Sequence, residues 1–237
     1  MLDANKIWQV YKDKGYDVSV GEGTVNITYI EGLDPDGSVN PHTPNHFDDL
    51  RVVWQVLPDG TAKVLGAWDA TTRPSTYWTV HPMNPSGAFI IALGQQTCWT
   101  MGHYHDQIAL IQTEPIKGTR DFNQDYDRRG DREYPPGLYG VHHHWGYNYP
   151  HDDAGRSSAG CQVGRTEHGH NEFIQILKQD PRYVADHNFL WTSTVITADD
   201  YANTKVHPAL LAGAGVATLS LVYGFWDHLV SWFHMLF

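Results

Sequence analysis

The chain has 237 residues, 41% hydrophobic and 18% charged, a balance that argues against a disordered polar polymer and supplies enough apolar residues for one good-sized core. A formal charge of −11, with 16 Lys and Arg and no basic stripe, would repel a phosphate backbone, so no nucleic-acid partner is expected. Two cysteines, Cys98 and Cys161, are far too few for a disulfide framework, whereas 15 histidines offer bases, metal ligands and charge that develops between roughly pH 7 and 5.

Residues 1 to 15 carry Lys6, Lys12 and Lys14 but no apolar signal-peptide core, which predicts cytoplasmic synthesis without a signal peptide. Within them, Ile7, Trp8, Val10 and Tyr11 recur at helical spacing behind Asp3, a capping residue, and predict a short amphipathic helix over 4 to 14. From Val18 to about Gln112, short runs of Val, Ile, Thr and aromatic residues alternate with Asp, Gly and Pro clusters, the pattern of β-structure. The clearest hairpin joins Arg51–Leu57 to Thr61–Trp68 through Pro58, Asp59 and Gly60. Further strands are predicted near 88 to 93, 96 to 101 and 109 to 113.

Residues 115 to 137 are charged and punctuated by Pro and Gly, and read as a loop. Asp121, Asn123 and Asp125 match the opening of an EF-hand loop, but Tyr126 stands where the turn glycine belongs and Arg132 where the glutamate belongs, which leaves a solvated acidic loop. A helix is predicted over 167 to 178, from the spacing of Phe173, Ile174, Ile176 and Leu177, and a last strand over 191 to 196.

The chain divides at about residue 203. Residues 1–203 are expected to form the main domain with its short N-terminal helix, and residues 204–237 a C-terminal hydrophobic helix. Pro208 to Trp226 is a stretch of 19 residues without a charge, about 28 Å long as a helix at roughly 1.5 Å per residue, close to the thickness of a bilayer core. Ala209, Gly213 and Ala217 give it a small-residue face, so contact with a membrane through 208–226 is expected, alongside a buried or interfacial helix as alternatives. Arg182 and Lys205 precede the segment and Asp227 follows it, which would hold the main domain on the cytoplasmic side if the helix spans.

The chemistry-bearing stretch is Gly140-Val141-His142-His143-His144-Trp145, followed by Arg156-Ser157-Ser158-Ala159-Gly160-Cys161-Gln162-Val163. A thiol needs a base nearby to act as a nucleophile at neutral pH, and a glycine turn beside it lets backbone N–H groups face a carbonyl. The 17 positions between His144 and Cys161 allow a strand, a loop and a return. Strand alternation puts His142 and His144 on one face and turns His143 away, so His144 is taken as the base, with His142 and then His143 behind it.

These residues resemble the signature of the L,D-transpeptidases, a histidine at a strand end and then Ser/Thr-His-Gly-Cys. Ser158, Gly160 and Cys161 match the Ser, Gly and Cys positions; Ala159 replaces the second histidine, and Val163 stands where an arginine often follows. The Ser-Ala-Gly-Cys-Gln variant looks like a divergent branch of phage and bacterial proteins. The resemblance implies a mainly β fold, an L,D-transpeptidase-like β-sandwich with a few peripheral helices. It implies a cysteine peptidase or acyltransferase that acts on peptidoglycan stem peptides through a thioester, endolysin-like in role, with no cofactor. Cys161, His144, His142, Ser158 and Gly160 would carry the reaction, Ser158 by bonding the turn or the imidazole, and Trp145, His151, Arg156 and Gln162 would border the substrate.

Two other readings stay open. His103 with His105, His142 to His144, His151 with Asp152 and Asp153, and His168 with His170 supply ligand types for a zinc hydrolase, although no spacing among them is diagnostic of zinc. A non-catalytic envelope or virion protein would use the same aromatic and histidine residues for packing alone.

Overall fold

The computed structural model describes residues 1–206, so the hydrophobic segment 208–226 and its expected membrane contact lie outside the described residues. Among the described residues, no helix is long and apolar enough to cross a membrane.

The chain starts with α1 (Ala4–Lys14), β1 (Asn26–Glu31), β2 (Asp49–Val56), β3 (Ala62–Thr71) and α2 (Thr76–Val80). It continues through β4 (Ala88–Ile91), β5 (Gly94–Tyr104), β6 (Gln107–Gln112), β7 (Ile116–Asp121) and β8 (Glu133–Gly137). The remainder is β9 (His143–Trp145), β10 (Gln162–Gly164), α3 (Glu167–Lys178), α4 (Pro181–Ala185), β11 (Trp191–Thr197) and α5 (Ala198–Asn203). Over the described residues the protein is thus mainly β, with two sheets and a few short helices.

The larger sheet is a closed barrel in the order β1-β11-β5-β6-β9-β10-β3-β2, and β4-β7-β8 form a separate three-stranded sheet. Closure is the departure from the expected sandwich. The three-residue strands β9 and β10, parallel to each other, fill the seam between β6 and β3 that would otherwise leave two open edges. The segment read as a loop between 115 and 137 likewise contributes β7 and β8, while the acidic turn between them remains irregular.

Alternation along β1 and β2 explains the two cores. Ile27, Tyr29 and Val53 face inward, where they pack with Trp99, Leu110, Trp191 and Phe173 of α3. Ile30, Val52 and Trp54 face outward and are covered by Ile7, Val10 and Tyr11 of α1 and Tyr201 of α5. β2 is buried along its whole length and apolar through its middle, where Arg51, itself fully buried, interrupts the run from Leu50 to Trp54. The helix ends follow local chemistry: the Asp3 side chain accepts the Asn5 N–H at the start of α1, and the Thr166 side chain accepts the Gly169 N–H at the start of α3.

Candidate active site

The seam of the barrel carries the histidine run and Cys161. In the parallel β9–β10 register Gln162 lies beside His143 and Val163 beside His144, so Cys161, one residue earlier, comes level with His142. The Gln162 N–H bonds the His142 carbonyl at 2.9 Å. Alternation then sorts the rings. His143 turns into the barrel against Tyr29 and Trp99, while His142 and His144 both lie against Tyr104 on the other face, with ring centroids 5.0 and 4.7 Å from it.

The turn into β10 is built around Gly160. Its φ is +127°, and a Cβ there would lie 2.5 Å from the Phe89 carbonyl oxygen, so both backbone conformation and space require glycine. Ser158 bonds this turn: its hydroxyl donates to the Cys161 carbonyl at 2.9 Å and accepts the Gly160 N–H at 3.2 Å. Of the two roles expected for it, the contact with the turn is the one present.

Cys161 is 8% exposed and packs with Phe47, Ala154 and Val163. Its S–H donates to the Gly140 carbonyl and its sulfur accepts the His142 N–H, both at 3.4 Å, and among the described residues no imidazole nitrogen hydrogen-bonds it. Burial pushes the thiol up to about 11, against a smaller opposing effect of the His142 N–H. Burial also lowers His144 to about 4. Thiol and imidazole are therefore both neutral at rest.

Hydrogen bonding distinguishes the two outer histidines. His144 Nδ1 lies 2.9 Å from the Trp145 carbonyl, which only accepts, so Nδ1 carries the proton and Nε2 presents a free lone pair. His142 Nδ1 instead accepts the Gln112 N–H at 3.1 Å, which puts the proton on Nε2. In these tautomers His144 is able to take a proton at Nε2, whereas His142 is able only to give one.

The other expected residues sit apart from this cluster. Gln162 turns to the inner face with His143 and is fully buried, which corrects its expected place at the substrate. Trp145 is half-buried against Tyr147, with centroids 5.1 Å apart. His151 is exposed, and its carbonyl accepts the Phe47 N–H. Arg156 is exposed, with its guanidinium 3.8 Å above the Tyr77 ring. Neither His151 nor Arg156 hydrogen-bonds Cys161, His142 or His144 among the described residues.

Tyr104 and Gln112 belong to the site although no motif marks them. The Gln112 side-chain oxygen accepts the N–H groups of Tyr139 and Val141, which fixes the segment leading into the histidine run.

Among the described residues, none of the histidine groups considered as zinc ligands belongs to a cluster of three ligand-type side chains. His168 is exposed beside Glu172, and His170 is buried in the barrel. Among the described residues the one such cluster is Glu31, His42 and Asp49. Its carboxylates are already engaged: Arg128 makes a two-pronged ion pair with Glu31, the Thr72 hydroxyl lies 2.5 and 2.8 Å from Glu31 and Asp49, and His42 Nε2 lies 3.0 Å from Asp49. Two arginines near Glu31 supply the positive charge that a cation would bring, and the donor set does not fit a metal.

No protein-family profile, curated protein or solved structure matches this chain.

Proposed function

We propose that the protein is a cysteine acyl-transfer enzyme that cleaves peptidoglycan stem peptides, with Cys161 as nucleophile and His144 as base. The observation that carries the reading is the seam itself: adjacent parallel strands bring Cys161, His142 and His144 to one face, and His144 presents an unprotonated Nε2 there. The substrate class rests on the resemblance of Ser158-Ala159-Gly160-Cys161 to the L,D-transpeptidase signature, as does any kinship of the fold with that family.

Because both groups are neutral at rest, proton transfer accompanies attack rather than preceding it. The thiol proton passes to His144 Nε2 as sulfur bonds the amide carbonyl carbon, and the displaced electron pair goes to the carbonyl oxygen. Collapse of that intermediate breaks the C–N bond, the imidazolium returns its proton to the leaving amine, and a thioester remains. Water then releases the acid and restores the thiol, and an amine in place of water would give a cross-link. The Gly160 N–H is held by Ser158, whereas the Cys161 N–H has no partner among the described residues and is the donor left free to receive the oxyanion.

The test is incubation of purified protein with defined muropeptides and identification of the products by mass. Wild-type protein is expected to release stem-peptide fragments and to acquire the mass of an acyl group on Cys161, and Cys161→Ala to lose both. Turnover that persists in Cys161→Ala refutes the assignment, and inertness of the wild type toward every muropeptide favours a non-catalytic envelope or virion role.

A further inference from the structure

Inside the barrel, directly beneath the β9–β10 seam, lies a buried cation without an acidic partner. Arg51 is fully buried, and it makes no ion pair with a carboxylate among the described residues. Every group that it touches is neutral. Its Nη2 donates to the carbonyls of His144 on β9 and Gln162 on β10, each at 3.2 Å. Its Nε donates to the Tyr29 hydroxyl at 2.6 Å, and Nη1 lies 3.2 Å from Nδ1 of His170.

Arginine only donates, and this sets the direction of the network. The Tyr29 hydroxyl accepts from Arg51, so its proton points to His143 Nδ1, 3.2 Å away. His170 Nδ1 likewise accepts, so Nε2 holds the proton and donates to the Ile108 carbonyl at 2.7 Å. Space for the guanidinium comes from Gly164 on β10, where a Cβ would lie 2.6 Å from Nη1. A buried charge held only by dipoles is costly to keep, and one placed across a two-strand seam acts on both strands at once.

We infer that Arg51 is a positioning residue for the proposed reaction, clamping the strand that bears the base to the strand that bears the nucleophile from inside the barrel. This rests on the cysteine-enzyme reading above. The guanidinium fixes the β9–β10 register through one nitrogen shared by the two carbonyls, and with it the offset between the His144 ring and Cys161. Its charge also opposes protonation of the surrounding rings, adding to burial in holding His143 well below its usual range, His170 at about 3 and His144 at about 4.

The test compares the full-length chain with Arg51→Lys, which keeps the charge but not the fork, and Arg51→Met, which removes both. Two readouts are independent of turnover: amide hydrogen exchange of Gln162 and Gly146, whose N–H groups bond His142 and Gly164 across the seam, and NMR titration of the His144 ring. Both variants are expected to lose about tenfold or more of the exchange protection at Gln162 and Gly146, relative to the β1–β11 ladder. In Arg51→Met the His144 titration moves up by about one pH unit or more, and in Arg51→Lys it stays low. Where Arg51→Met does not fold, seam exchange in Arg51→Lys decides. Protection equal to wild type in Arg51→Lys, or a His144 titration unmoved in a folded Arg51→Met, overturns the inference. Inertness of the wild type toward muropeptides, or turnover that persists in Cys161→Ala, with the exchange and titration results as expected, would instead overturn the proposed function alone.

Discussion

At the scale of single residues, Cys161 and His144 form a pair that is neutral at rest. A thiol raised to about 11 by burial is overwhelmingly protonated at pH 7, unlike the ion pairs of cysteines flanked by a charged imidazole. Alkylation of Cys161 by iodoacetamide is therefore expected to be at least about thirtyfold slower at pH 7 than that of a free cysteine and to keep rising past pH 9. Mass-resolved rates across pH check this, and a plateau already reached near pH 7 would show a resting thiolate. Cys98 is sealed in the core and shifted further upward, so the signal belongs to one site.

At the scale of elements, what could be read from the residues follows what local chemistry decides. α1 and α3 coincide with the predicted spans because capping residues and a 3.6-residue apolar period mark both ends and faces. The β2–β3 hairpin is likewise local, set by Pro58, Asp59 and Gly60. β7 and β8 escape because Arg120, Asp121 and the Pro135-Pro136 pair look like loop chemistry, although an edge strand tolerates proline where no ladder bond is needed. Barrel closure escapes for a different reason: it depends on register between strands far apart in the chain. In the site, alternation of His142, His143 and His144 is legible and the glycine turn is legible, but the inward turn of Gln162 depends on β10 being a strand, which three residues do not announce. Arg51 carries a signal of its own, a lone charge in the apolar run Leu50-Arg51-Val52-Val53-Trp54.

The irregular segment between β7 and β8 is tied to the barrel by Arg128, which pairs with Glu31 at the end of β1 and donates to the Ile91 carbonyl. Burial would raise Glu31, but Arg128 outweighs it and holds the carboxyl below its usual range. Arg128→Met leaves that carboxylate buried without its main partner and is expected to cost about 3 to 5 kcal/mol in urea denaturation, with earlier proteolytic cleavage between 122 and 132. A loss below about 1 kcal/mol would show that Glu31 is not held by this pair.

At the scale of the whole molecule, buried groups set a pH window for stability. His144 and His170, lowered by burial to about 4 and about 3, stay neutral in the fold while the unfolded chain takes up protons below about pH 6.5, so stability falls on acidification, each contributing on the order of 3 kcal/mol. His42, raised by Asp49 against the effect of burial, works in the opposite sense and offsets part of the loss. Further down, Asp49, held to about 2 by His42 and Thr72 despite burial, gives up its contribution as it protonates. On the alkaline side, Cys161 at about 11 and Tyr29 at about 12, both raised by burial, bind protons that the unfolded chain has released, so stability falls again above about pH 9. Urea midpoints measured from pH 3 to 11 are expected to peak between about pH 6.5 and 9, and a maximum below pH 5 would contradict this assignment of neutral histidines.

The parallel pairing of β1 with β11 carries a consequence for synthesis. The first strand of the barrel waits, one side unsatisfied, until residues 191–197 emerge from the ribosome nearly the whole domain later. A nascent chain halted near residue 190 displays the bare flanks of β1 and β5 together, and such truncations should collect in inclusion bodies or on chaperones while chains carried through Thr197 do not.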